Sequence, residues 1–154
     1  MRVLIDRRAN VALDATNREK GTDFLRKIYG PEKLETMFKP WSANFEWLTK
    51  DVVYGIFHAD DRVFGTLETE LILYTAIACQ GLRTTVENHL GGLLRMGLSV
   101  EEIEGVTACA ELVARWAGYN MSAWPNVREV AASLNQGRQS WDAVCYLLPS
   151  LITI

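Results

Sequence analysis

Two side chains in the middle of this sequence could exchange a proton: the carboxylate of Glu70 and the imidazole of His89. Glu70 falls in the nearly apolar stretch Leu67–Cys79, and His89 falls on the apolar stripe of the segment that follows. A carboxylate and an imidazole in a dry site shift each other's pKa and can act as general acid and base. The residue types therefore predict proton-transfer chemistry without metal or redox cofactor.

Both residues also have a structural explanation. A histidine flanked by leucine and valine on a helical stripe is commonly a core residue whose ring nitrogens are satisfied by hydrogen bonds. An acid in the first turn of a helix, as Glu70 would be, is stabilised by the helix macrodipole. The spacing of Glu70 and His89 does not decide between structure and catalysis.

Two consecutive helices are expected to position the pair. The stretch Leu67–Cys79 is too long for a typical strand and predicts a buried helix. The next helix is predicted to reach Gly97, with an inner stripe formed by Leu82, Val86, His89, Leu93 and Met96. Because consecutive antiparallel helices can bring such groups together, we expect Glu70 and His89 to lie close to each other.

Earlier in the chain, capping and spacing signals predict further helices. Thr16 and Glu19 stand at capping-box spacing and open a helix that Gly30 closes. Apolar residues recur at helical spacing from Trp41 to Val52, and Gly55 is the expected stop.

Later in the chain, Ser99 and Glu102 form a second capping box, and the helix that they open is expected to end at Gly118. Ser122 is a candidate cap for another helix that reaches Leu134. A last segment, Trp141–Leu148, precedes an apolar tail. No strand pattern is convincing, so the sequence predicts an all-α fold.

Length and composition indicate one soluble domain. The chain has 154 residues, of which 49% are hydrophobic and 23% charged, an ordinary balance for one core. We expect an N-terminal extension over residues 1–16 and one helical domain over 17–154. The net charge of -3 comes without a basic block, which argues against nucleic acid. No apolar run suits a signal peptide or a membrane span, so a cytoplasmic protein without a membrane partner is expected.

The cysteines predict neither a disulfide framework nor a metal site. Cys79, Cys109 and Cys145 are widely spaced in apolar surroundings. This pattern is typical of buried, reduced thiols.

Three motifs between residues 70 and 118 resemble those of a known family. They are an acid-leucine pair in Glu70-Leu71-Ile72-Leu73, the run from His89 to Ile103, and Ala117-Gly118. Together they are similar to the signature of the carboxymuconolactone decarboxylase family, which includes the alkyl hydroperoxidase D proteins. The resemblance implies an all-α subunit around an antiparallel helix hairpin, assembling into a homo-oligomer, trimer or hexamer, with sites near subunit contacts.

The same resemblance separates two branches of that family. In the peroxidase branch a glutamate, a Cys-x-x-Cys pair and a histidine form a proton relay and redox centre, and Glu70 and His89 match its two proton-relay residues. Leu82 and Thr85 stand at the cysteine positions and cannot form a thiolate, so thiol peroxidase activity is not expected. In the decarboxylase branch an arginine is usual where Thr69 stands.

Other residues are candidates for substrate binding. Because Thr69 offers no cation to a carboxylate, Arg62, Arg83 and Arg95 are the possible replacements. His58, in a polar stretch predicted as a loop, is a second candidate acid or base. Aromatic residues that could form apolar walls, or simply core, are Trp47 and Tyr74, with Trp41, Phe45, Tyr54, Phe57 and Phe64.

The sequence thus predicts a cofactor-free lyase, a decarboxylase or a proton-shift isomerase, acting on a small cyclic lactone acid or polyketide-like compound of secondary metabolism. His89 would protonate carbon after loss of carbon dioxide, and Glu70 would set the tautomer and charge of His89. The alternative is a family member that has lost catalysis and serves as a binding or assembly subunit.

Overall fold

The structure, a computed structural model, describes residues 13–119 and 124–134, which form helices, turns and irregular connections. The predicted all-α class is confirmed for these residues. The helices are α1 (Ala15–Tyr29), α2 (Pro31–Met37), α3 (Ala43–Trp47), a π-helix (Leu48–His58), α4 (Thr66–Cys79), α5 (Arg83–Arg95), α6 (Val100–Trp116) and α7 (residues 127–134). None of the helices in these ranges is both long and apolar enough to cross a membrane.

The chain divides into two compact units, one up to Leu73 and one from Tyr74 onward, so the boundary falls within α4. The first unit contains α1, α2, α3, the π-helix and the start of α4. The second contains the rest of α4 with α5, α6 and α7. The predicted division into a short extension and one domain stays a prediction.

The N-terminus of α1 is capped by a different residue from the one predicted. Asp14 is the N-cap, and its carboxylate accepts a hydrogen bond of 3.1 Å from the backbone N–H of Asn17. The predicted cap, Thr16, therefore lies inside the helix. The prediction was wrong because aspartate and threonine are both good caps, and the local spacing did not show which of the two begins the helix. At the other end, Gly30 has a φ of 78° and closes the helix as predicted.

The π-helix packs very closely on α1 through two glycines. A Cβ atom on Gly21 would overlap the carbonyl oxygen of Lys50, and a Cβ atom on Gly55 would overlap the carbonyl oxygen of Asn17. Gly55 was predicted as a helix stop, and that prediction is wrong: the residue lies inside the π-helix and is buried. Because Gly55 has no side chain, the backbones of the π-helix and α1 can approach each other closely.

Ion pairs connect α1, α3 and the π-helix. Arg18 donates to Asp51 at 2.7 Å and to Glu46 at 3.1 Å, and Lys50 donates to Glu46 at 2.6 Å. Lys50 also lies over the ring of Phe38, 4.3 Å from its centroid. Asp51 is only 8% exposed, and a carboxylate is tolerated there because a guanidinium compensates its lost hydration.

The π-helix replaces the end of one predicted helix and the start of a predicted loop. Ser42 caps α3 by accepting a hydrogen bond from Phe45 N–H, and the chain continues from α3 directly into the π-helix. His58, predicted to lie in a polar loop, is its last residue, and the N–H of Ala59 donates to the carbonyl of Tyr54 at 2.8 Å. π-helices are rare and are frequent at functional sites.

The boundaries of α6 were predicted correctly. Glu102 N–H donates to Ser99 Oγ at 3.2 Å, while the carboxylate of Glu102 accepts from Ser99 N–H at 2.8 Å. Both halves of the capping box are thus present. Gly118 follows the helix with a φ of 78°, and Gly97, with a φ of 99°, follows α5.

The interior of the second unit is formed by α4, α5 and α6. Its most buried residues include Tyr74, Val86, His89, Leu90, Leu93 and Ile103. The middle of the predicted α5 stripe is therefore correct, but its ends are wrong: Leu82 is 49% exposed and Met96 is only partly buried. Both end residues lie just outside α5.

Two further predictions concern the last described helix and the cysteines. The amide oxygen of Asn126 accepts from the N–H groups of Arg128 and Glu129 at the start of α7, while the predicted cap, Ser122, lies outside the described residues. The predicted Trp141–Leu148 segment and the apolar tail also lie outside them. Of the cysteines predicted to be buried, Cys79 is partly buried, Cys109 is exposed, and Cys145 is outside the described residues.

Candidate functional site

Glu70 is a completely buried acid in α4, with 0% of its surface exposed. The acid in the first turn of that helix is Glu68, which is exposed. The explanation of Glu70 as a first-turn acid is therefore wrong, since it lies one turn further into the helix. A carboxylate at such a position needs either polar neighbours or a functional reason to be there.

Two tyrosines are electrostatically coupled to this acid. Tyr29 at the end of α1 and Tyr54 in the π-helix share a side-chain hydrogen bond, and the charge of Glu70 acts on both hydroxyls. Both tyrosines are partly buried. We refer to Glu70, Tyr29 and Tyr54 as the acid-tyrosine cluster.

The cluster keeps its hydroxyls protonated. Burial is the largest effect that raises the pKa of Tyr54, followed by the neighbouring Tyr29 and by Glu70. Burial also raises the pKa of Tyr29; the hydrogen bond with Tyr54 opposes this effect, and Glu70 adds to it. Both hydroxyls are therefore neutral at physiological pH, and one of them donates a hydrogen bond to the other.

His58 lies at the edge of the acid-tyrosine cluster. Its ring is 5.0 Å from the Tyr54 ring and 6.3 Å from the Phe24 ring, between centroids. Phe24 also lines a surface pocket of about 180 Å³. The other residues of this pocket are Lys20, Asp23, Lys27, Ala59, Asp61 and Thr66. Phe24 thus lies beside both His58 and this pocket, although only 2% of its surface is exposed.

His89 is a core residue of the second unit. It is 1% exposed on α5, with Val86 and Leu93 buried on the same helix. Glu70 belongs to the first unit and His89 to the second. Their predicted pairing stays a prediction.

The three predicted arginines lie at the surface. Arg62 forms a two-bond fork to Asp60, with both bonds 2.6 Å long, and this hydrogen bonding raises its pKa. Arg83 pairs with Glu87 at 3.0 Å, and Arg95 is exposed near the end of α5. The guanidinium of Arg62 is therefore occupied by a neighbouring carboxylate.

The aromatic candidates divide between surface and core. Trp47 is 45% exposed at the end of α3. Tyr74 is completely buried in the second unit, where its hydroxyl lies 2.7 Å from Thr107 Oγ1. Tyr74 thus belongs to a sealed core and not to a wall that faces solvent.

Sequence reasoning missed Tyr29, a member of the acid-tyrosine cluster, and two residues of the pocket that Phe24 lines, Lys20 and Lys27. The spacing of Lys20 and Lys27 puts them on one side of α1, and this was a usable signal for a cationic edge. Tyr29 gave no local signal, because its partner Tyr54 lies in a different helix. Within the described ranges, no group of three or more histidine, cysteine, aspartate or glutamate residues is arranged to hold a metal ion.

Comparisons with known proteins give one partial similarity. No protein-family model matches the chain. No solved structure matches it either. Among curated proteins, a protein named Peroxisomal protein 2 from Saccharomyces cerevisiae is 32% identical over 66 residues, which are 43% of this chain and 23% of that protein. The match thus spans less than a quarter of the relative's length, and the similarity is too short to show a family.

Proposed function

We propose that this chain is a cofactor-free lyase or proton-shift isomerase that acts on a small cyclic metabolite, such as a lactone acid or a polyketide-like acid. The observation that carries the proposal is the acid-tyrosine cluster: a completely buried carboxyl acts on two partly exposed, hydrogen-bonded tyrosines. Titratable groups with shifted pKa values concentrate at sites of acid-base catalysis. A resemblance to carboxymuconolactone decarboxylases supports the same chemistry.

In the proposed reaction, Lys20 and Lys27 bind the substrate's carboxylate at the pocket that Phe24 lines; of the two aspartates in the same lining, Asp23 pairs with Arg26. Cleavage of the carbon–carbon bond releases carbon dioxide and leaves its electron pair on an enolate. Of the two hydrogen-bonded hydroxyls of Tyr29 and Tyr54, the one that accepts from its partner donates its own proton in a hydrogen bond to that developing negative charge.

A histidine then gives its proton to the substrate carbon, which completes the reaction. His89 is the donor predicted from sequence, with Glu70 setting its charge. His58 is the second candidate, since its ring lies against Tyr54. In an isomerisation the same histidine would return a proton that it had first removed from another carbon, with no loss of carbon dioxide.

The proposal can be tested by incubating the protein with candidate lactone acids and polyketide intermediates. Mass spectrometry then detects loss of carbon dioxide or a product of equal mass. With an active compound, Glu70→Gln is expected to lower turnover by about 100-fold or more, as removal of an acid-base group does. Glu68→Gln, an exposed acid on the same helix, is the matched control and should keep full activity. Full activity in folded Glu70→Gln would contradict the proposal.

Two further variants identify the proton donor. Of His89→Gln and His58→Gln, the donor's variant is expected to lose turnover with helicity unchanged by circular dichroism. It should also lose one limb of the pH profile. A histidine with only a packing role would instead lower the melting temperature first.

A second candidate function is a binding or assembly subunit without catalysis. The burial of Glu70 and His89 favours it. In this case Glu70→Leu should raise stability, because an apolar side chain removes a buried polar group. Ligand-induced thermal shifts without any turnover would support this candidate.

We also propose a homo-oligomer and a cytoplasmic location. The oligomer follows from the family resemblance. The partial relative carries a peroxisomal name, so the location needs its own measurement. Imaging of the tagged full-length protein in its own cell would distinguish cytoplasmic from peroxisomal signal.

A further inference from the structure

One side of α6 leaves large apolar side chains in water. Leu112 is 72% exposed, Val113 64% and Trp116 89%. With the exposed small residues on the same side, they form what we call the α6 face: Gly105, Ala108, Cys109, Leu112, Val113 and Trp116. The spacings of three and four residues place all six on one side of the helix. A contiguous apolar surface of this kind is typical of an interaction site.

The opposite side of α6 is its core side. Ile103, Thr107 and Ala114 are its buried residues. These residues form the buried side of the helix, so the α6 face is separate from the interior that the described residues of the second unit form. The helix α6 therefore has two apolar sides, one buried in the interior and one, the α6 face, exposed.

The α6 face is complementary to itself when it is reversed. Its small residues, Gly105, Ala108 and Cys109, come first along the helix, and its large residues come last. A Cβ atom on Gly105 would meet nothing within 4 Å, so there is open space above that position. In an antiparallel pair of two α6 helices, Trp116 of each copy would lie over Gly105 of the other. A parallel pair would oppose Trp116 to Trp116 and leave the space at Gly105 unfilled.

The charges that border the α6 face are compatible with the same orientation. Glu104 and Arg115 lie on the same edge of the face, at opposite ends of the helix, and within the chain they pair with Arg128 at 2.6 Å and with Glu111 at 3.7 Å. In an antiparallel helix pair with twofold symmetry, like edges meet, so Glu104 of one copy lies opposite Arg115 of the other. The helix macrodipoles are also opposed in that arrangement.

We propose that the α6 face is a contact between two copies of this chain, packed as an antiparallel helix pair about a twofold axis. The helix has 17 residues and is therefore about 25 Å long. A single helix pair of this length is a small contact beside the roughly 1,200–2,000 Å² that stable interfaces bury. The contact is therefore reversible and depends on concentration. This inference does not depend on the proposed catalytic function.

Cysteine crosslinking tests the orientation. Gly105→Cys and Trp116→Cys are made separately in a background with Cys79→Ser, Cys109→Ala and Cys145→Ser. Both new positions are exposed, so each variant should fold, and circular dichroism checks this. Under mild oxidation, a disulfide dimer is expected only when the two variants are mixed. In that mixed dimer, Trp116 of the Gly105→Cys copy still contacts Gly105 of the Trp116→Cys copy. Dimers of either variant alone would indicate a parallel pair, and no crosslink in the mixture would overturn the proposal.

Analytical ultracentrifugation of the full-length chain tests the affinity. Wild type is expected to show a monomer–dimer equilibrium, and Trp116→Glu should raise the dimer dissociation constant by about 30-fold or more, as loss of a central aromatic anchor does. Leu82→Glu, at a residue that is 49% exposed outside the α6 face, is the matched control and should leave that constant unchanged. A wild type that is monomeric at all concentrations, or a dimer insensitive to Trp116→Glu, would overturn the proposal.

Discussion

Both compact units bury polar groups and expose large apolar side chains, but among the described residues the buried carboxylates lie in the first unit and the most exposed apolar side chains lie in the second. In the first, Asp51 and Glu70 are buried, and Glu70 raises the pKa of two partly exposed tyrosines, Tyr29 and Tyr54. In the second, Leu112 and Trp116 are left in water although each is large and apolar. Burying charge and exposing apolar surface both cost stability, and proteins accept such costs mainly where function requires them. The contrast suggests chemistry in the first unit and association in the second.

Glycine shows the same contrast on a smaller scale. Gly21 and Gly55 allow the backbones of α1 and the π-helix to touch, so each is part of the packing of the first unit. Gly105 has open space where a side chain would be. Glycine thus allows close helix packing in the first unit, whereas in the second unit Gly105 lies at an open position on the surface of α6.

The largest effect is expected from Gly55→Ala. Its Cβ atom would overlap the backbone of Asn17, and a backbone contact cannot relax as the end of a flexible side chain can. We expect a loss of about 3 kcal/mol in the free energy of unfolding, at the upper end for overpacking. Urea denaturation measures it.

Gly105→Ala is the matched control for that variant, because the added methyl group meets nothing within 4 Å. On an exposed helix position it should raise the free energy of unfolding by about 0.5–1 kcal/mol through the gain in helix propensity. Equal effects of Gly55→Ala and Gly105→Ala would remove the contrast between the two units.

Thr107→Val tests whether the second unit depends on a buried polar contact at all. Thr107 Oγ1 donates to the carbonyl of Ile103 at 2.7 Å, so the Tyr74 hydroxyl, also 2.7 Å away, is the donor to Thr107. Valine leaves that hydroxyl buried without an acceptor, and the expected cost is about 2 kcal/mol.

Adding Tyr74→Phe to Thr107→Val should recover part of this cost, since the orphaned hydroxyl is then gone. Thermal unfolding of the two single variants and the double variant completes the cycle. Strict additivity of the two substitutions would mean that the short contact contributes nothing to stability.

The acid-tyrosine cluster predicts a loss of stability in alkali. The folded protein holds the Tyr54 proton above the ordinary pKa of 10.0, while the unfolded chain releases it there. Unfolding therefore releases a proton above that pH, and the stabilising effect, complete below about pH 10, declines as the pH rises further. Tyr54→Phe should reduce the slope, which urea titrations at about pH 8 and about pH 11 measure.

Glu70→Gln sharpens the same measurement. Glu70 raises the pKa of both Tyr29 and Tyr54, so its neutral substitute should move the late part of the tyrosine titration, followed by absorbance, to lower pH. Glu68→Gln is the control here as well. An unchanged titration would mean that the carboxyl and the tyrosines are not coupled.

Features that depend on neighbouring residues in the sequence could be predicted. The capping box of Ser99 and Glu102 uses groups three residues apart, and α6 begins where this box predicts. The central stripe of α5 was also correct, because burial in a helix follows its period. Its ends were wrong since Leu82 lies beyond the helix, where the period no longer applies.

Features that depend on distant residues could not be predicted. Gly55 contacts Asn17 on another helix, and the residues beside Gly55 in the sequence do not indicate this contact. The π-helix is a similar case, because its hydrogen-bond register is not visible in apolar spacing. Glu70 was found from its apolar surroundings, but Tyr29 could not be, since their coupling exists only in the folded first unit.

The smallest effect is expected at the helix caps, where the local rules can be tested in both units. Ser99→Ala and Asp14→Ala should each cost about 1 kcal/mol, because each removes the acceptor of an N-terminal N–H group. Thr16→Ala, at the cap predicted from spacing alone, should cost much less, since Thr16 lies inside α1. A larger loss for Thr16→Ala than for Asp14→Ala would mean that α1 begins at the capping box after all, and thermal unfolding of the three variants decides this.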